Sequence, residues 1–243
     1  MNVLVTGASS GIGRSIALTL ADEHDIAVNY RTSEDAATEV VEAAERKGST
    51  AIAVRADVRD SEAVDAMIEQ VVDSLGGLDA VVNNAGIVDP DLATDIDDDQ
   101  WTRVLDTNLS GAFYVTRAAI PHLQPGGDVV FVSSIGGTGG TVDASYAASK
   151  AGLHGLTRSL AREYGDEGVQ VNAVAPGPVE TAMNDDIVAY LEAIDFRGHE
   201  NVDTHLPEYA CQPEAVAHTV AYLLDNEYIQ GEIVNVNGGM QFR

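Results

Sequence analysis

Short apolar runs alternate along the chain with longer stretches in which apolar residues recur at every third or fourth position. VLVT (3–6) precedes a helical pattern over 11–23, IAVNY (26–30) one over 34–47, and TAIAVR (50–55) one over 61–75. LDAVVN (78–83) leads through a polar loop to a pattern over 100–123, and GDVVFVSS (127–134) to one over 144–164. VQVNAVAP (169–176) leads to a less regular segment, a helix-like run covers 213–224, and EIVNVNG (232–238) closes the series. The apolar runs are continuous Val, Ile, Leu and Ala rather than alternating, so they read as strands buried on both faces. Six or seven such strands separated by helices predict one α/β domain over 1–243, a doubly wound parallel sheet with helices on both faces. Ligands of such sheets sit beyond the strand C-termini.

Composition narrows the classes. Hydrophobic residues are 45% of the 243, enough for a sizeable core and too many for a disordered acidic chain. No apolar run approaches the roughly 20 residues of a membrane span, and no basic leader with a cleavage site is read at the start. Cys211 is the single cysteine. These features lead us to expect a cytoplasmic protein without a membrane partner. Thirty-nine acids face thirteen bases, a formal charge of −26, and eleven of the bases are arginine. Such a surface repels nucleic acid. The acidity suits either a halophilic protein, whose self-repulsion concentrated salt screens, or an acidic protein of an ordinary cytoplasm. The presence of only two lysines favours the first.

Candidate chemistry lies at the strand ends. TGASSGIG (6–13) joins the first strand to the first helix. Gly7, Gly11 and Gly13 permit a tight turn, and with Ser9, Ser10 and Ile12 they let a pyrophosphate approach N–H groups at a helix N-terminus. A flexible turn is the bland alternative. The second strand runs into Arg31, Thr32 and Ser33, with no acid before Glu34. An acid there would bind a ribose 2′-hydroxyl and favour NAD. Arg31 can instead pair with a 2′-phosphate, with Arg14 as a second candidate, which favours NADP(H). Tyr146 and Lys150 stand at i and i+4, on one helix face. An ordinary tyrosine titrates near pH 10, and a neighbouring ammonium lowers that value. Such a tyrosine could protonate a carbonyl oxygen during hydride transfer, with Ser133 or Ser134 orienting that oxygen. An exposed helix pair is the alternative. No metal-binding pattern is read.

TGASSGIG, DV (57–58), NNAG (83–86), Asn108 in DTNLSG, VSS (132–134), Y-x-x-x-K (146–150), PGPVET (176–181) and VNGGM (236–240) occur in one order, over almost the whole chain. In this the sequence resembles the short-chain dehydrogenase/reductases. The resemblance implies a Rossmann-type domain with Asn108, Ser134, Tyr146 and Lys150 as a catalytic tetrad. Tyr146 would be the acid–base and Ser134 would hold the substrate oxygen. Lys150 would bind the nicotinamide ribose and lower the tyrosine pKa, and Asn108 would anchor a water of a proton relay. Asp57 and Val58 would flank the adenine, and Asn84, Ala85 and Gly86 a ribose. Pro176, Gly177, Val179 and Thr181 would line the nicotinamide. The family serine is usually the second of its pair and thirteen residues before the tyrosine. Ser134 is second but twelve before, whereas Ser133 has the thirteen. Gly137 and Gly140 favour Ser134, with a one-residue deletion within GTVDAS.

Within the family, NYRTSEDA and GEIVNVNGGM look most like the 3-oxoacyl-(acyl-carrier-protein) and acetoacetyl-coenzyme A reductases. That likeness implies reduction of a 3-oxoacyl thioester with NADPH, by a homotetramer. The substrate loop, at about 182–212, departs from those relatives around PEYACQ. A sugar, polyol, steroid or small ketone therefore stays open as the substrate. So does a non-catalytic nucleotide sensor of the same fold.

Overall fold

The computed structural model describes residues 1–141, 143–196 and 205–240. Its elements in order are β1 (Asn2–Val5), α1 (Gly11–Leu20), β2 (Asp25–Tyr30), α2 (Glu34–Glu45), β3 (Ala51–Arg55), α3 (Ser61–Leu75) and β4 (Leu78–Asn83). There follow α4 (Asp98–Leu105), α5 (Gly111–Ala119), β5 (Leu123–Val132), α6 (Gly136–Gly139), α7 (Ala144–Tyr164), β6 (Gln170–Pro176), α8 (Ala182–Ala193), α9 (Pro213–Asp225) and β7 (Ile233–Val236). The strands form one seven-stranded sheet in the order β3-β2-β1-β4-β5-β6-β7, with parallel pairing throughout.

Both sheet faces are buried because successive strand residues point opposite ways. Val3 and Val5 join Ile16, Val40 and Val216 in a core beneath α1, α2 and α9. Leu4, between them, joins Ile68, Val115 and Leu153 beneath α3, α5 and α7. Among the described residues no helix is long and apolar enough to cross a membrane.

Local chemistry sets the element ends. Asp60 caps α3 by accepting from Glu62 N and Ala63 N, and Gly76 ends it with a left-handed φ of 81°. The single helix expected over 100–123 is instead α4 and α5 joined by a π-helical turn at Asp106–Ser110. Asn108 explains the wide turn. Its Oδ1 accepts from Ile87 N at 2.8 Å and its Nδ2 donates to Ile87 O at 2.9 Å, drawing the helix toward the end of β4. Pro121, which has no N–H to donate, lies just past the end of α5. The segment expected to be less regular after β6 contains α8, twelve residues long.

The chain builds β1, β2 and β3 outward in one direction, then crosses back through α3 to place β4 on the other side of β1. The loops that follow β1 and β4 therefore diverge and leave a crevice at their C-terminal ends.

Candidate active site

The glycine turn after β1 is clamped from two sides. Asn84 Nδ2 donates to Thr6 O (2.9 Å) and Gly7 O (3.2 Å), and Thr6 Oγ1 accepts from the N–H groups of Asn84 and Ala85, both at 3.0 Å. On the other side Gly7 N donates to Asn29 Oδ1, and Asn29 Nδ2 donates to Val54 O and Ala56 O. Gly7 adopts φ 61°, and a Cβ on it would stand 2.9 Å from Ala85 Cα. A Cβ on Gly13 would stand 2.4 Å from Asn84 Nδ2. Both positions need glycine because the NNAG loop presses against them.

The α1 N-terminus is electrostatically open. Ser10 occupies the cap position without a capping hydrogen bond, and the first turn holds no acid. By contrast α2, α3, α4, α8 and α9 each carry an acid in their first turn. In a chain this acidic, α1 leaves its free N–H groups and positive dipole end available to an anion.

A crevice of about 420 Å³ runs from this turn across the sheet. Of the residues singled out in the sequence, Gly7, Ser9, Ser10, Gly11, Ile12, Arg31, Asp57, Val58, Asn84, Ala85, Gly86, Ser133, Tyr146, Lys150 and Thr181 line it. Gly13, Asn108, Ser134, Pro176, Gly177 and Val179 do not. Gly13 packs under the turn. Val179 is buried and bridges to Cys211, and Gly177 abuts Asn237, so they shape the end of β6 rather than the crevice wall. Arg31, Thr32 and Ser33 lie together on the wall. Arg55 Nε donates to the Arg31 carbonyl at 3.2 Å. Asp57 is gripped by Arg59, with Nη2 2.6 Å from Oδ2, which holds its carboxyl below the ordinary range. Tyr30, Ile87, Thr107 and Met183 also line the crevice and were missed by sequence reasoning. Asn29 was legible in principle, as a polar residue inside an apolar strand.

Helix α7 carries Tyr146 and Lys150 to the other end. Asp143 caps it, accepting from Ser145 Oγ (2.6 Å) and Tyr146 N (3.0 Å). Lys150 Nζ donates to Val132 O at 2.8 Å and lies 5.6 Å from the Tyr146 ring centroid. Burial lowers the Lys150 pKa to about 8. It raises that of Tyr146, which the hydrogen bond from Ser134 opposes and the charge of Asp143 reinforces. The expected lowering by Lys150 is thus not the dominant effect in the free chain. The ammonium is bonded to a strand carbonyl, and desolvation is the largest influence on the phenol.

The two serines divide plainly. Ser133 is buried, its Oγ 3.0 Å from Lys150 O and 2.8 Å from His154 Nε2. Ser134 Oγ accepts from Gly136 N at 3.0 Å, and its hydrogen bonding acts to lower the pKa of the Tyr146 phenol. Ser134 is therefore the serine in contact with the phenol. Asn108 Nδ2 donates to Ser149 Oγ (3.1 Å), which donates to Tyr146 O (2.8 Å). A Cβ on Gly86 would stand 3.3 Å from Asn108 Oδ1 and 3.5 Å from Lys150 Nζ, so these two polar groups converge on one glycine.

Helix α8 borders the crevice through Ala182 and Met183. Its Tyr190 hydroxyl meets Asp91 Oδ1 at 3.4 Å, so the segment after β6 touches the loop after β4. Cys211 returns to the base of this segment, donating to Pro178 O and accepting from Glu180 N. Residues 197–204 of the expected 182–212 substrate loop, and Val142 within the expected deletion, lie outside the described residues.

A family model described as enoyl-(acyl carrier protein) reductase matches residues 7–241. The chain is 43% identical to a 3-oxoacyl-(acyl-carrier-protein) reductase of Staphylococcus aureus, over 98% of this chain and 97% of the relative. It is 39% identical to 3beta-hydroxysteroid dehydrogenase 1 of Eggerthella lenta, over 98% and 92% respectively. A solved short chain dehydrogenase from Burkholderia cenocepacia in complex with NADP superimposes with TM-score 0.91 at 35% identity, covering 98% of this chain and 97% of that one. With the parallel sheet, the clamped glycine turn and the Tyr146–Lys150 helix in place, these matches show that the chain belongs to the short-chain dehydrogenase/reductase family of oxidoreductases.

Proposed function

We propose that the protein reduces a 3-oxoacyl thioester to the 3-hydroxyacyl form with NADPH. The observation that carries this reading is the crevice itself. It joins an open helix N-terminus and the Arg31 wall at one end to Tyr146 and Lys150 at the other. The donor set fits the cofactor. Backbone N–H groups of the glycine turn suit a pyrophosphate, and Arg31 with Thr32 and Ser33 suits a 2′-phosphate. Bound there, the cofactor supplies the hydride.

The chain's own residues supply the rest. Ser134 donates its one hydrogen to the substrate carbonyl oxygen, and Tyr146 delivers its proton to that oxygen as the carbonyl carbon accepts the hydride. A buried phenol with a raised pKa keeps that proton until charge develops on the oxygen. An ammonium has three hydrogens, and only one is engaged by Val132 O, so Lys150 retains donors for a ribose hydroxyl. Asn108 and Ser149 continue the polar path behind the helix.

The thioester is favoured by the Staphylococcus relative, and a hydroxysteroid or other secondary alcohol is the second reading, favoured by the Eggerthella relative. Assays with acetoacetyl-coenzyme A, a 3-oxosteroid and a panel of sugars and small ketones, each with NADPH and NADH, separate the readings. We expect thioester turnover with NADPH, abolished in Tyr146→Phe while NADPH binding persists. Cofactor binding without turnover of any compound would make the protein a sensor. Near-normal turnover by Tyr146→Phe would remove the proposed acid.

A further inference from the structure

Tyr146, Lys150 and His154 follow one another at four-residue spacing, so α7 presents all three on one face. His154 is buried and has no part in the chemistry above. Its Nε2 lies 2.8 Å from Ser133 Oγ, and Ser133 Oγ lies 3.0 Å from the Lys150 backbone carbonyl. A hydroxyl has one hydrogen and a carbonyl has none. The Ser133 hydrogen therefore goes to the Lys150 carbonyl, and His154 donates from Nε2 to the Ser133 oxygen. The opposite arrangement would face two oxygens across 3.0 Å with no hydrogen between them, in a buried site.

Lys150 completes a second tie in the other direction, from Nζ to Val132 O. The end of β5 is thus fastened to α7 at two successive residues, Val132 and Ser133. The next residue is Ser134, which bonds Tyr146. We propose that His154 is a positioning residue: through Ser133 it holds the end of β5 in register with α7, and so sets the contact between Ser134 and Tyr146. An apolar side chain of similar size would fill the space but leave the Ser133 oxygen without its donor. Lys150 and Arg158 are the charges that act on the ring, and with burial they oppose its protonation, so the neutral Nε2–H tautomer is the working form.

This inference rests on the proposed reduction, and its tests include two that need no turnover. In the full chain, ¹⁵N NMR of labelled histidine should show His154 protonated at Nε2 near neutral pH. The Tyr146 phenol, followed by ¹³C NMR, should titrate higher in His154→Leu than in the unmutated protein, because the Ser134 bond is lost. In turnover, His154→Leu and Ser133→Ala should each lower kcat by about tenfold or more with the KM for NADPH little changed, since misplacement of reacting groups acts on the chemical step. The double variant should be no slower than either single, and His154→Gln, whose amide can donate to Ser133, should recover most of kcat. A proton on Nδ1 alone, an unmoved Tyr146 titration, a kcat within about twofold of normal in His154→Leu, or multiplying losses in the double variant would each overturn the proposal. If His154→Leu does not fold, the tautomer and a folded but slow His154→Gln decide in the same way. Failure of the unmutated protein to reduce any carbonyl would instead overturn the proposed function, leaving the tautomer to read the relay alone.

Discussion

Asp128 offers the sharpest test of the energetics. It lies in β5, paired with Ala80 and Gln170 on either side, only 3% exposed. Among the described residues no hydrogen bond or cation compensates it, and burial pushes its carboxyl from an ordinary 3.8 up to about 7. A carboxyl with a raised folded-state pKa binds more protons folded than unfolded between those values. Stability therefore falls as pH rises through that window and levels off above it. The full difference corresponds to about 4 kcal/mol. Asp128 borders a cleft at the N-terminal strand ends, and solvent there reduces the effect, so we expect about 2 to 4 kcal/mol. Asp128→Asn mimics the neutral acid. It should be close to neutral in effect at pH 4 and stabilising above pH 7, by roughly 2 to 4 °C in Tm for each kcal/mol. Four residues, about 13 Å of strand, separate Asp128 from Val132 beside the site, so activity per folded molecule should not change. Thermal melts of both proteins across this pH range at constant salt give the difference directly, because the other carboxylates cancel. A stability difference independent of pH would refute the assignment of a buried, uncompensated carboxylate.

Two further outcomes follow from charge. Arg31→Asp should shift the preference toward NAD by at least about tenfold, since an Arg–phosphate pair contributes about 1.5 to 3 kcal/mol; equal kinetics with both cofactors in the unmutated protein would contradict the 2′-phosphate role. Thirty-nine acids cannot all be offset by thirteen bases, so the homotetramer that the sequence resemblance implies should assemble and melt higher as KCl rises from about 0.1 to about 3 M. Light scattering that shows a monomer at high salt, or a Tm flat or falling with salt, would refute this.

The sequence by itself determined the strand–helix alternation. Continuous Val, Ile and Ala runs have few ways to be buried except in a parallel sheet covered on both faces. It also marked the glycine turn and the Tyr146–Lys150 pair, whose spacings are local. The expected ends of α3 and α7 coincide with the observed ones, where Asp60 and Asp143 cap the first turns. What depended on contacts distant in the chain was not legible. Asn108 opens the helix at 106–110 because it meets Ile87, twenty-one residues away. Gly13 serves the site by accommodating Asn84 rather than by lining the crevice. The glycines at 137 and 140 favoured Ser134 in the sequence, but only the tertiary structure gave the two serines their partners. Just past the end of β5, the packing of α7 turns Ser133 toward His154 and leaves Ser134 beside Tyr146. The titration of Tyr146 was likewise decided by packing. A sequence shows that a lysine is one turn away, but whether attraction or desolvation dominates depends on how much water the folded chain excludes.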